Sequence, residues 1–248
     1  DPSSATAWSL VGVFSIGKPI GRRCLEKSGS DLTVITQDGA ISLATFLPID
    51  QVAGYSQAMS TNIQNEFLAS TRAYSTIFGW QSIHYPQGSY SLFNIPKTTL
   101  LADQYVINTQ TGAWCKFTGQ NAACWSLFNG DLYFGAQNGG IVFKADSGSS
   151  DNSGDINWKI RPAFSYYGSR GSQKLFSLCR PNFTTNGLPS YAIDLNLNFS
   201  NVNPSNIPTT PTLNVGVWDV SRWDAAEWSE EAVTASWTTV FGIGECAS

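Results

Sequence analysis

The chain has 248 residues, of which 13% are charged and 13% aromatic, and its formal net charge is −4. A chain of this length can bury a sizeable core, and its abundant Gly, Ser, Thr and Asn are typical of a β protein with polar turns rather than a helical or disordered one. The weak acidity excludes a generally basic protein of the kind that reads the grooves of nucleic acids.

The N-terminal third predicts strands followed by one helix. Apolar and β-branched runs predict strands at 8–14, 32–35 and 41–46. A helix is predicted over 50–72, where Asp50 is suited to cap the first turn. Its apolar residues recur at intervals of three and four and therefore share one face: Val52, Tyr55, Met59, Ile63 and Phe67. The opposite face is nearly without Lys or Arg, so we expect packing on a β domain rather than on a membrane surface.

The middle of the chain predicts a dense series of strands. Short turns separate most of them, and Pro86, Pro96 and Gly119 lie between the apolar runs. This density is typical of a propeller or a sandwich. The predicted strands are 80–85, 90–95, 104–108, 113–117, 124–128, 131–135 and 141–144.

A short phrase recurs three times within these strands, at 32–39, 105–112 and 132–139. Each copy has Gln at the sixth place and Gly at the eighth, after an apolar run and before another. The pattern predicts a hairpin whose glycine adopts a positive φ. Repeated hairpins in an all-β chain predict a partial β-propeller over residues 1–150.

The polar stretch 146–155 predicts a linker. Beyond it, residues 151–248 are expected to form a C-terminal β-rich, sandwich-like segment, because 156–160 and 191–197 alternate between apolar and polar residues. Because the chain begins with Asp1 rather than methionine, we expect it to be a fragment of a longer protein.

Three tryptophans near the C-terminus are spaced five residues apart, at Trp218, Trp223 and Trp228. This spacing suits neither a helix stripe nor a strand face. Exposed indoles can stack on sugars or anchor a protein partner, so the three are a possible interaction surface, with local packing as the alternative.

The sequence predicts no catalytic, cofactor-binding or metal-binding residue. His84 is the only histidine, and no Gly-x-Ser-x-Gly motif accompanies it. Asp31 and Asp131 occupy equivalent places in the repeat, where a turn aspartate usually bonds its own backbone rather than acting as half of a glycosidase pair. The five cysteines are widely spaced, so we expect free, buried thiols rather than disulfides or a zinc site: Cys24, Cys115, Cys124, Cys179 and Cys246.

An ordered set of segments spans most of the chain: 17–22, 31–36, 78–81, 105–114, 132–135, and Trp218-Asp219 with Trp223-Asp224. In these segments the chain resembles the packaged-DNA stabilisation, hub or nozzle proteins of short-tailed bacteriophages. The resemblance implies a β-propeller with added β domains and a structural, non-enzymatic role in the virion tail.

The resemblance also implies partners. It indicates a homo-oligomeric ring, expected to be a hexamer, below the portal and adaptor, that retains packaged DNA and anchors other tail proteins. Double-stranded DNA would pass through without sequence-specific binding, and no membrane is involved. From the weak acidity we expect a bore that repels DNA and lets it slide.

Two other classes remain open at this point. A carbohydrate-binding or glycan-hydrolysing propeller, like a tail spike, predicts a Trp-lined pocket with two acidic groups about 5–10 Å apart. A cellular propeller scaffold predicts a monomer that is absent from virus particles.

Overall fold

The structure is a computed structural model, and it divides the chain into two compact units, Asp1–Ile156 and Asn157–Ser248. The sequence had placed this boundary at residue 150. The described residues are 15–46, 58–148, 150–152, 154, 156–168, 170, 172, 174–179, 183–185, 191–197, 199–203, 234–236 and 240–246.

The described part of the first unit contains three antiparallel sheets, and in each the strand order follows the chain. The first sheet has β1 (Leu25–Ser28), β2 (Asp31–Thr36) and β3 (Gly39–Ser42). The second has β4 (Gln81–Tyr85), β5 (Tyr90–Pro96), β6 (Ala102–Asn108) and β7 (Trp114–Phe117). The third has β8 (Ala122–Phe128), β9 (Asp131–Ala136) and β10 (Val142–Lys144). The all-β class is confirmed, as are the seven strands predicted in the middle of the chain.

The helical part of this unit differs from the prediction. A short helix α1 (Leu43–Phe46) follows β3, a 3-10 turn covers Thr61–Ile63, and α2 spans Gln64–Tyr74. The strand predicted at 41–46 therefore ends at Ser42, and the helix predicted over 50–72 begins later and ends at Tyr74. Residues 50–57 lie outside the described part of the chain.

The late start of α2 has a local cause at Ser60. The Ser60 hydroxyl accepts a hydrogen bond from Ala40 N at 3.1 Å and donates one to Gln64 Oε1 at 2.9 Å. These bonds hold residues 58–60 as a turn beside β3, although Met59 and Ile63 still pack on the core as the periodicity predicts.

The repeated phrase forms the last hairpin of each sheet. Its copies join β2 to β3, β6 to β7 and β9 to β10. The glycines have φ values of 144°, 69° and 86° at Gly39, Gly112 and Gly139, which confirms the predicted positive φ. The repeat in the sequence is therefore a repeat of structure.

The second sheet lies between two apolar clusters. Phe93, Ile95 and Tyr105 on one face pack with Ile35 of the first sheet and Phe67 of α2. The opposite face packs on the third sheet through another cluster: Ile83, Tyr85, Leu92, Val106, Ala122, Trp125, Leu132 and Ala145. The two covered faces explain why nearly every residue of β5 and β6 is buried, including the polar ones.

Gly21 marks a close approach between the first two sheets. Its φ is 82°, and a Cβ built on it would lie 2.6 Å from the Cβ of Trp80. We expect Gly21→Ala to lower the free energy of unfolding by more than about 2 kcal/mol, because backbone strain and a clash with the Cβ and main chain of Trp80 add together. Gly140→Ala is the matched control, since φ is 62° there with no atom within 4 Å. Urea unfolding measures both variants, and an equal loss in the free energy of unfolding would show that the clash with Trp80 contributes nothing.

The second unit contains two antiparallel strand pairs among its described residues. β11 (Lys174–Cys179) pairs with β14 (Val240–Cys246), and β12 (Phe183–Thr185) pairs with β13 (Thr234–Ser236). The strands predicted at 156–160 and 191–197 are not part of any described sheet. Alternation predicts an extended chain but does not identify a partner strand, and neither segment has one among the described residues.

Candidate functional site

The three sheets of the first unit meet along their first strands. Arg23, just before β1, forms a parallel bridge with Gln81 of β4. The Gln81 side chain in turn donates to Trp125 O and accepts from Trp125 N on β8, both at 2.8 Å. The Gln81 side chain thus joins β4 to β8 through two hydrogen bonds to the backbone of Trp125. The first strands of the three sheets, β1, β4 and β8, therefore lie side by side.

A groove of about 430 Å³ opens beside this line. Its lining combines a guanidinium, a thiol, a phenol and an indole with apolar surface. Among the described residues, the groove is lined by no carboxylate and no histidine, the side chains that most often act as general acids and bases. The lining residues are Arg23, Gln81, Cys124, Trp125, Ser126, Tyr133, Phe134, Gly135 and Val142.

A buried amide network lies behind the groove. Asn94 is 0% exposed and donates to Gly79 O at 2.8 Å and to Ala122 O at 3.0 Å. Its Oδ1 accepts from Gln104 Nε2 at 2.9 Å and from Trp125 Nε1 at 3.1 Å. The network fixes β5 and β6 of the second sheet to the start of the third.

Sequence reasoning missed these amides, although a signal existed. Asn94 interrupts the apolar run of its strand between Phe93 and Ile95, and Gln104 begins the predicted strand 104–108. Asn is depleted in strands, and a buried polar group must be hydrogen-bonded. Such an interruption indicates a partner backbone in a neighbouring sheet.

His84 lies half-buried on β4, where its Nδ1 is 2.9 Å from the Ser91 hydroxyl. Its backbone N–H donates to Glu26 Oε1 at 3.4 Å, and burial raises the pKa of that carboxyl above its usual value. Ser91 is only 6% exposed and directly opposes His84 in the sheet. The pair therefore ties β4 to β5 and does not present an accessible nucleophile.

Asp31 and Asp131 perform the same structural task in two sheets. Each is the first residue of the second strand of its sheet, and its carboxylate accepts hydrogen bonds from the third strand or from the residues that follow it. Asp31 accepts from Ala44 N at 2.9 Å and from the Ser42 hydroxyl, and Asp131 accepts from Lys144 Nζ at 2.7 Å. Their equivalence in the sequence therefore reflects how each sheet is held together.

The Asp31 contacts predict a pH dependence of stability. Burial raises the pKa of Asp31, but bonds from Ser42, Ala44 and Leu32 outweigh it and leave the pKa below its usual value. A carboxyl with a lowered pKa adds stability above its unfolded pKa, and this stability is lost as the pH falls through the folded pKa.

We therefore expect Asp31→Asn to reduce stability most at neutral pH and progressively less below about pH 4. Urea unfolding at a series of pH values measures the difference. Asp38→Asn is the control, because the exposed Asp38 carboxylate makes no side-chain contact in the described part of the chain. A loss that is constant with pH would contradict the linkage.

A charged cluster joins α2 to the second sheet. Asp103 accepts from Lys97 at 2.5 Å and from Lys116 at 3.0 Å, and its side chain is 10% exposed. Burial lowers the pKa of Lys116, but Asp103 more than offsets this and raises it overall. Tyr105 OH lies 2.8 Å from Ser70 Oγ and donates to Glu66 Oε1 at 3.1 Å. Every group here has a structural partner.

The predictions for the cysteines, the C-terminal tryptophans and metal ligands have different outcomes. Cys24, Cys115 and Cys124 are free, but Cys115 is exposed and the other two are half-buried, so the prediction of buried thiols was wrong for these three. Cys115 lies on β7, the edge strand of the second sheet, which has a neighbouring strand on one side only. The predicted surface of Trp218, Trp223 and Trp228 lies outside the described residues. Within the described ranges, no cluster of His, Cys, Asp or Glu could hold a metal ion.

Comparisons with known proteins identify no relative: no family model, curated protein or solved structure matches this chain. In the described part of the chain, no helix has the length and apolar character needed to cross a membrane.

Proposed function

We propose that this chain is a structural subunit of a bacteriophage tail, in the hub or nozzle ring that closes the head-to-tail channel. The observation that supports it is the stacking of three sheets through continuous apolar and amide layers. This architecture builds a rigid scaffold, and among the described residues no carboxylate or histidine lines its groove. Such a protein acts through its surfaces.

We propose further that the three sheets are consecutive blades of a β-propeller. In a propeller, sheets of antiparallel strands repeat around a central channel. Here the first strands converge, and the bridge between Arg23 and Gln81 is parallel. The second unit would supply the sandwich-like domain, with its strand pairs as part of two sheets.

The third sheet offers a surface for a neighbouring chain. Its face away from the second sheet carries Phe128 and Val142, which are 73% and 69% exposed. Large apolar side chains that are exposed together mark interaction sites. A ring closes through head-to-tail contacts between unlike surfaces, and this face is suited to one side of such a contact.

A glycan-hydrolysing propeller has less support. That class requires two acidic groups in a Trp-lined pocket, and the groove contains Trp125 without a carboxylate. A cellular scaffold would share the fold but would not be found in virus particles.

The test is mass spectrometry of gradient-purified, DNA-filled particles from the source. We expect this chain's peptides at a fixed ratio to the portal protein, about one copy to two, as a ring of half the portal's symmetry requires. Absence of the chain from the particles would contradict the tail role. A ratio that varies between preparations would contradict the ring.

A further inference from the structure

The positive charge of the first unit is concentrated at one place. Lys18, Arg22, Arg23 and Lys27 are all exposed. These four, named here the cation strip, are four of the fourteen Lys and Arg residues in a chain with a net charge of −4. The strip is therefore a local departure from the composition.

The strip differs from the other lysines of the unit in its lack of counter-ions. Lys97 and Lys116 are paired with Asp103, and Lys144 with Asp131. Among the described residues, no carboxylate lies within salt-bridge distance of any member of the strip. The single acidic residue between Lys18 and Lys27 is Glu26, whose carboxylate is turned toward His84.

Backbone contacts fix three members of the strip where the first sheet meets the second. Lys18 O accepts from Gln37 N at 2.9 Å, Arg23 O accepts from Ser82 N at 3.3 Å, and Lys27 pairs with Leu32. Lys18 and Lys27, the ends of the strip, therefore lie opposite Gln37 and Leu32 at the two ends of β2. At about 3.3 Å per residue, these ends are about 17 Å apart. One strand of B-DNA places about five phosphates along that length.

We propose that the cation strip binds the phosphate backbone of double-stranded DNA without reading its sequence. This inference rests on the proposed function, which supplies DNA as the partner, and it differs from the expectation of a bore that only repels DNA. An acidic protein fits the strip less well, because protein interfaces are enriched in aromatic residues as well as Arg, and Lys is depleted there. No aromatic residue lies between Ser15 and Asp31.

The strip would give packaged DNA a weak, salt-sensitive hold, because it offers only four cations in a chain with a net charge of −4. Contacts to phosphates carry no sequence information. Release of counter-ions from four phosphates corresponds to a slope of about −3.6 in log affinity against log salt concentration. DNA of any sequence would therefore be held and still pass.

The experiment measures binding of the full chain to a fluorescent 30-base-pair duplex by anisotropy at 50 and 200 mM NaCl. We expect wild-type affinity to fall about 100-fold between these salt concentrations. Replacing all four residues with glutamine should weaken binding more than tenfold at 50 mM and remove most of the salt dependence.

Two control variants accompany it. Lys18→Arg, Arg22→Lys, Arg23→Lys and Lys27→Arg together keep the charge and should keep the binding. A second variant replaces Arg72, Lys159, Arg161 and Lys174 with glutamine. It removes the same number of positive charges elsewhere in the chain and should keep most of the DNA binding. Circular dichroism melts verify that each variant is folded.

Three outcomes would contradict the proposal that the cation strip binds DNA. Equal binding by the glutamine variant and the wild type would show that DNA binds elsewhere or not at all. Equal losses in both glutamine variants would show an effect of net charge alone. Tighter binding of polyglutamate than of DNA would assign the strip to an acidic protein. The particle analysis decides the tail role independently, so either proposal can fail while the other stands.

Discussion

Replacing Asn94 with alanine is expected to lower the free energy of unfolding by about 4 kcal/mol. The variant loses four buried hydrogen bonds, and the indole N–H of Trp125 loses the acceptor it has in the network. A buried donor left without a partner costs about 1–3 kcal/mol, and the missing side chain adds a cavity between two sheets. Urea unfolding followed by tryptophan fluorescence measures the loss.

Asn138→Ala is the matched control for this change. Asn138 is exposed in the turn between β9 and β10 and makes no side-chain hydrogen bond in the described part of the chain. Its replacement should change stability by less than about 0.5 kcal/mol. If Asn94→Ala were equally mild, the amide network would not hold the second and third sheets together.

A loss of similar size is expected for Phe67→Ala. Phe67 is 0% exposed, and its ring centroid lies 6.2–6.5 Å from those of Trp80, Phe93 and Tyr105. Truncation of a buried phenylalanine costs about 3–5 kcal/mol, because apolar contacts are lost and a cavity remains. Since these contacts fix α2 on the second sheet, we also expect faster hydrogen exchange in α2.

The control for this second change is Phe78→Ala, whose side chain is 67% exposed. It removes the same atoms from a surface position, so stability should change by less than about 0.5 kcal/mol. A small effect at Phe67, or slow exchange in α2 of the Phe67 variant, would show that the helix is held by its charged cluster instead.

The apolar periodicity of α2 illustrates what can be inferred from the sequence. The spacing of Ile63 and Phe67 predicts a buried helix face, and both residues pack on the core. The same spacing extended over Met59 predicted helix where Ser60 forms a turn through its bond with Ala40 N. Periodicity reports which residues are buried, but a hydrogen bond to a distant strand decides where the helix starts.

The candidate sites show a similar division. The equivalence of Asp31 and Asp131 is visible in the sequence, and the structure gives both the same structural task. The polar interruption at Asn94 signals a buried amide, but neither its partners nor the groove could be predicted, because Gln81 and Trp125 come together only when two sheets stack. Likewise, a count of charges reports weak acidity and hides the cation strip.

The sequence by itself determined the all-β class, the strands of the middle region and the repeated hairpins, since these depend on local alternation and on glycines at positive φ. The tertiary structure alone decided which strands pair across the second unit, which amides join the sheets and which cations lie without counter-ions. These features depend on contacts between residues far apart in the chain, and no local pattern records which distant group will be the partner.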